Sequence, residues 1–334
     1  MYLSIRIPRC LCRKRFYQIK IDMKHYLEVQ HDIIKQFQKK LCLYPHCQNK
    51  NKDIIKAHTI QKSQSLKSIS ESGHVLQFDQ TYNGIKDFVL YGSCQPKKVG
   101  INKATTFYGF CKKHDKSLFS AIEDDEIIPT EEQVFLFTFR TLAREYYTKS
   151  AAVNASPVFE NIAQERPEIR HFLNIQNAGL NAGLKKLEKI YLSFSENLMK
   201  RNYSILNHLF IKINQIPDIM CGGLLYPDHD FDRNLIQDLT DVDILEWVSF
   251  TIFSQYGIGY ILFSWEYEST IVLNFITNLL THSNIINRIV GFAFEYTENI
   301  VFSPQWWNKL SPAKQKDLCF RAYDNYHYDF YSEN

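Results

Sequence analysis

Four side chains able to bind a soft or borderline metal fall into two close pairs. Cys42 and Cys47 enclose Leu43-Tyr44-Pro45-His46, and Cys111 and His114 enclose Lys112-Lys113. A tetrahedral zinc ion takes four such ligands at roughly 2.0 to 2.3 Å, and two short Cys/His pairs brought together by folding supply them. The expectation is one structural Zn2+ with four protein ligands and no position open to a substrate, Cys94 and His46 being the alternative ligands. Two more residues carry polar chemistry close by. His58, in Ala57-His58-Thr59-Ile60, lies between the pairs, and Asp115 directly follows the second. On position alone His58 reads as a core histidine or a support for a metal ligand. Asp115 reads equally well as the carboxylate that the first turn of a helix favours.

To bring the pairs together the chain needs a turn carrying the first, a strand ending near His58, and a helix whose first turn carries the second. The sequence provides each. Asp53 to Ile60 is β-branched and apolar enough for a strand, Phe107 to Phe110 reads as another, and a helix then runs on through Leu118 and Phe119. That order makes a treble-clef zinc finger. Over residues 42–119 the stretch resembles the HNH nucleases, the ββα-metal group, in which a Cys pair precedes a strand ending in Ala-His-Ile and a second Cys or Cys/His pair opens the following helix.

The resemblance implies a phosphodiesterase. By position, His58 corresponds to the general base of that family and Asp115 falls beside its catalytic metal ligand, for Mg2+ or Mn2+ distinct from the zinc. The chain departs from the family pattern in three places: a long insertion between Gln48 and Phe110, Thr105-Thr106-Phe107 where the family has its central Asn, and Ala57 where many members carry a second ligand. His74, Asn83 and Asn102 are the polar residues of the insertion that could take the missing role.

Charge separates the chain into unlike halves. Residues 1–120 hold 22 Lys/Arg against 8 Asp/Glu and the remainder 17 against 28, an excess of +14 followed by −11 within a net charge of +3. A basic front around a finger pattern points to DNA or RNA, because cations that neutralise phosphates release counterions; the other reading of such charge is a solvated surface. The 8 cysteines of this 334-residue chain, with no apolar leader in the first 22 residues, read as thiols and metal ligands of a reducing, cytoplasmic compartment. Met23 is an alternative start.

The hydrophobic content of 45% permits two cores, and the fold class expected is α+β. The expected division is a basic arm and leading helix over 1–41, a zinc-binding HNH-like domain over 42–122, and a second domain over 130–334, helical first and then α+β. Its boundary is the acidic run Glu123-Asp124-Asp125-Glu126 before Pro129, read as a solvated linker in preference to a metal site. Helical periodicity covers Lys24 to Lys40 and, after a capping box at Thr130 and Gln133, the face Phe135, Phe139, Leu142 and Tyr146. Residues 150–168, with Pro157 and Pro167, read as a loop, as do 92–106. A long helix over 172–202 carries a leucine seam for internal packing. Strands are expected at Val75–Phe78, Phe88–Tyr91, Leu209–Ile213, Ile219–Leu225 and Ile289–Tyr296, a hairpin over Trp247–Trp265, and helices at Ser269–Leu280 and Pro304–Arg321. The apolar stretch Ile244–Trp265 carries too many polar interruptions to cross a membrane. Asp228, His229, Asp230 and Asp232 lack calcium-loop spacing and read as a surface turn.

Two functions fit these residues. One is a metal-dependent HNH-like endonuclease of a microbial defence or mobile-element system, its acidic domain meeting a protein partner, a trigger or the substrate. The other is a non-catalytic zinc-finger module binding nucleic acid or protein, in which Ala57 and the absent Asn record lost chemistry.

Overall fold

The computed structural model describes residues 32–48, 51–79, 95–162 and 167–324. In chain order the strands are β1 (Ile54–His58), β2 (His74–Gln77), β3 (Lys97–Gly100), β4 (Thr106–Cys111), β5 (Leu206–Ile213), β6 (Ile219–Leu225), β7 (Val248–Gln255), β8 (Ile258–Glu266) and β9 (Ile300–Phe302). Two short helical turns, Lys62–Leu66 and Lys67–Ile69, follow β1, and the longer helices are α1 (Lys112–Glu123), α2 (Glu131–Ile162), α3 (Pro167–Lys200), α4 (Thr270–Leu280), α5 (Ile285–Tyr296), α6 (Pro304–Lys309) and α7 (Pro312–Asp324). Helix and strand are thus mixed along one chain, as the α+β expectation requires.

The β-branched run Ile54-Ile55 makes β1, which pairs antiparallel with β4 from Ile54↔Cys111 to His58↔Thr106. A register shift between Ile55 and Ala57 bends this two-stranded ribbon. At Gly109 a Cβ would collide with the Phe107 ring, so β4 needs glycine there. The preceding chain lies along β4 through Leu41 N–H to the Tyr108 carbonyl (3.1 Å) and Leu43 N–H to the Gly109 carbonyl (2.7 Å). The strand then passes straight into α1.

The other seven strands form one sheet in the order β3-β2-β9-β6-β7-β8-β5, with antiparallel neighbours throughout. Helices cover both of its faces, which is why β6 and β7 are buried at every residue and read as continuous apolar runs. Met220 and Leu224 of β6 enter the core shared with α2, α3 and the ribbon; Ile219, Cys221 and Leu225 enter the core under α4, α5 and α7. Helix α2 runs through the first core, burying Phe135, Phe139, Leu142 and Ala143 completely. It meets the sheet through hydroxyl pairs, Thr138 with Ser264 at 2.6 Å and Thr141 with Ser249 at 2.8 Å.

The acidic run does not divide two cores. Cys42, Phe110 and Phe119 from its N-terminal side share a continuous buried cluster with Phe135, Phe194 and Leu262 from the other. The β2–β3 hairpin joins the main sheet through Leu76↔Phe302. The run itself is tied down: Gln255 Nε2 donates to the Asp125 carbonyl (3.0 Å) and Gln133 Nε2 to the Glu126 carbonyl (2.8 Å). Thr130 accepts the Gln133 N–H as expected (3.2 Å), but the glutamine side chain serves the linker, accepting from Ile128 N–H, instead of returning to Thr130.

Several local expectations are corrected. Residues 150–162 continue α2 despite Pro157, since Ala151, Ala152 and Ala155 favour helix and pack into the interior; Pro167 opens α3, where its missing N–H costs nothing. Lys97–Gly100 is a strand because β2 offers it a partner. Ile289–Tyr296 is helix: Ile289, Phe292, Ala293 and Tyr296 recur every three or four positions, and Asn284 caps the N-terminus. Phe88–Tyr91, Asn83, Cys94, Met23 and most of the arm at 1–41 lie outside the described residues; the leading helix is seen over 32–37. Among the described residues no helix is long and apolar enough to cross a membrane.

Candidate metal centre and adjoining site

The turn before the ribbon and the first turn of α1 bring together Cys42, Cys47, Cys111 and His114, whose ligand atoms all lie within 4.8 Å of one another. His114 Nδ1 stands 3.5 Å from Cys42 Sγ and 3.3 Å from Cys111 Sγ. Adjacent ligands of a tetrahedral ion with bonds of roughly 2.0 to 2.3 Å are separated by about 3.5 Å, so the spacing suits such an ion. The three sulfurs are buried. Burial pushes the Cys42 thiol up to about 12 and holds His114 below its ordinary value, with Lys113 adding to the latter. A neutral imidazole is ready to ligate, and a cation is what would convert the buried thiol to thiolate. The His114 ring stacks on Tyr44 (4.0 Å between centroids, 16° apart), fixing its orientation. His46, the alternative ligand, is exposed in a left-handed conformation (φ 56°) and stands outside the cluster.

His58 ends β1, with its ring half-buried. Its Nε2 lies 2.9 Å from the Ile101 carbonyl, which can only accept, so Nε2 carries the proton and Nδ1 is left as the basic nitrogen. Burial lowers the pKa of this histidine, the Ile101 carbonyl partly offsets the shift, and the cations of Lys62 and Arg140 add to it. It is therefore neutral at neutral pH.

Asp115 sits in the first turn of α1, where burial raises its carboxyl to about 6; Arg140 and Lys116 oppose the shift and Glu123 adds to it. His58 and Asp115 thus both lie in the field of one ion pair. Arg140 Nη2 donates to Glu123 Oε1 at 2.7 Å, and the guanidinium lies 4.1 Å from the centroid of the Phe119 ring. Arg140 is buried, and its Nε–H has no hydrogen-bond partner in the structure. Gln61 Nε2 donates to the Glu123 carbonyl at 2.9 Å, linking the residues after β1 to the end of α1.

Glu123 and Arg140 are the two residues of this neighbourhood that sequence reasoning missed. Glu123 was absorbed in the acidic run. Arg140 carries a visible signal, a lone cation inside Phe135-Leu136-Phe137-Thr138-Phe139-Arg140-Thr141-Leu142, where a solvated arginine has no place. Of the residues considered for the missing family Asn, His74 is exposed with its Nδ1 on the Ser72 carbonyl, and Asn102 accepts from Lys62 Nζ at 3.3 Å. Asp228 to Asp232 form a turn held by α4 and α5, with Tyr296 O–H donating to Asp228 (2.5 Å) and Asn278 Nδ2 to Asp232 (2.6 Å). Among the described residues, no group of three or more His, Cys, Asp or Glu other than the Cys42–His114 set converges as metal ligands do. In comparisons with known proteins, the chain matches no family model, no curated protein and no solved structure.

Proposed function

We propose that this chain is a metal-dependent endonuclease of HNH type that hydrolyses phosphodiester bonds in DNA or RNA. In this reading Cys42, Cys47, Cys111 and His114 hold a structural Zn2+, which ties the ligand turn to the end of β4 and the first turn of α1. The observation that carries it is the hydrogen bond from His58 Nε2 to Ile101, because it presents the unprotonated Nδ1 of a neutral imidazole. Nδ1 takes a proton from water as the water oxygen bonds to phosphorus and the P–O bond to the leaving oxygen breaks; that oxygen leaves with a proton from solvent. Asp115 is the protein ligand available to Mg2+ or Mn2+, which would supply positive charge at the phosphate. Such ions are often held by one or two carboxylates with substrate oxygens completing the shell, which the single half-buried Asp115 can serve. Arg140 and Glu123 set the field around both residues.

The test is a cleavage assay on DNA and RNA substrates with and without Mg2+ or Mn2+, with His58→Ala as control. Cleavage that needs the ion and is lost in His58→Ala supports the reading. A second reading, a non-catalytic zinc-finger binding module, draws on the absence of a convergent second ligand group among the described residues and on the buried Ala57 where a ligand would stand. Tight nucleic-acid binding without cleavage under any of these conditions would favour it.

A further inference from the structure

The ribbon has an inner and an outer side. Ala57 and Phe107 face each other in register and are buried, whereas His58 opposes Thr106, and Tyr108 lies two residues further along the same strand. Because side chains alternate along a strand, His58, Thr106 and Tyr108 share the outer side. Lys56 joins them: its Nζ lies 5.8 Å from the centroid of the Tyr108 ring. Lys40, from the segment laid along β4, brings a second ammonium to the same ring, also at 5.8 Å. Both lysines are exposed, and the tyrosine is half-buried and packed against the core.

A half-buried aromatic ring with two ammonium groups over it has the two parts that bind single-stranded nucleic acid without sequence preference. A base that takes the place of the ammonium groups stacks on the ring face, and the displaced ammonium groups meet the phosphates on either side. A paired base inside a duplex already has both faces covered, so this platform favours an unpaired one. We propose that the outer side of the β1–β4 ribbon is a track for single-stranded nucleic acid, with Tyr108 stacking a base and Lys40 and Lys56 gripping the backbone, leading the strand to His58. The assignment of this strand as substrate rests on the endonuclease reading above; the binding track does not.

The experiment measures fluorescence anisotropy of the full chain, without added divalent cation, against labelled oligothymidine and oligouridine of about 20 nucleotides and a duplex of the same length. Tyr108→Leu is expected to weaken single-strand binding by about 5- to 100-fold while leaving duplex binding unchanged, and Tyr108→Phe to bind as the parent does. Lys56→Ala should weaken binding and reduce the salt slope by about 0.7. Equal losses on single strand and duplex, or no loss in Tyr108→Leu, would overturn the track. Should Tyr108→Leu fail to fold, as judged by its melting and zinc content, Lys56→Glu replaces it and must lose single-strand binding. Cleavage is scored separately: a Tyr108-dependent track in a chain that never cleaves leaves the track standing and removes the enzyme, and cleavage with Tyr108-independent binding does the reverse.

Discussion

Arg140 of α2 donates to the Glu123 carboxylate at the end of α1 across 2.7 Å, and this one pair stands in the field of both His58 and Asp115. The arginine is 3% exposed, and its Nε–H has no hydrogen-bond partner. A buried cation held by one carboxylate and one aromatic face is costly to leave alone. Glu123→Gln should therefore destabilise the protein by about 3 kcal/mol, measured by urea unfolding, since it leaves the guanidinium uncompensated. Replacing both partners, Arg140→Met with Glu123→Gln, should recover much of that loss. Equal losses in the single and double variants would show that the pair is not a unit.

The metal centre makes a second expectation. One zinc ion per chain should be found by elemental analysis of the freshly purified protein, and Cys111→Ser should release it, because the thiolate is lost from a closed set of four ligands. The released variant should also melt at lower temperature, since the ligand turn, β4 and α1 meet at this point. Full retention of zinc in Cys111→Ser would remove that residue from the shell.

The metal set was legible in the sequence because each pair lies within a few residues of chain, where spacing alone fixes proximity. The lone Arg140 in its apolar run is a signal of burial, but its pairing with Glu123 is not legible, because it depends on how α2 lies across α1, a relation between elements and not within one. The same distinction explains the strands. Ile54-Ile55 announces β1 by composition, whereas Lys97-Lys98-Val99-Gly100 is a strand only because β2 runs beside it. Ile289 to Tyr296 is short and almost wholly apolar, so its strand-like composition masked a helical period that the Asn284 cap would have favoured.

A shared core predicts shared unfolding. Phe139 is fully buried in the cluster that also contains Cys42, Cys111 and the β8 residue Leu262. Phe139→Ala should cost about 3 to 5 kcal/mol and lower, in a single transition, both the helical signal and the temperature at which zinc is released. Two separate transitions, with zinc release unmoved, would restore an independent finger.

His58 supports a prediction whose sign can be worked out. Burial lowers its pKa below the ordinary 6.5, so the unfolded chain binds a proton at a higher pH than the folded one. Its contribution to stability is complete above about pH 6.5 and is lost as pH falls from there through the folded value. In His58→Gln that part of the acid dependence should vanish. As a general base the same group is active when unprotonated, so kcat/KM should rise with pH to a plateau whose half-point lies below 6.5. Replacing it by Ala should reduce cleavage by about 100-fold or more with little change in nucleic-acid affinity. A rate that still climbs through pH 8, or is indifferent to His58→Ala, would assign the proton transfer to another group.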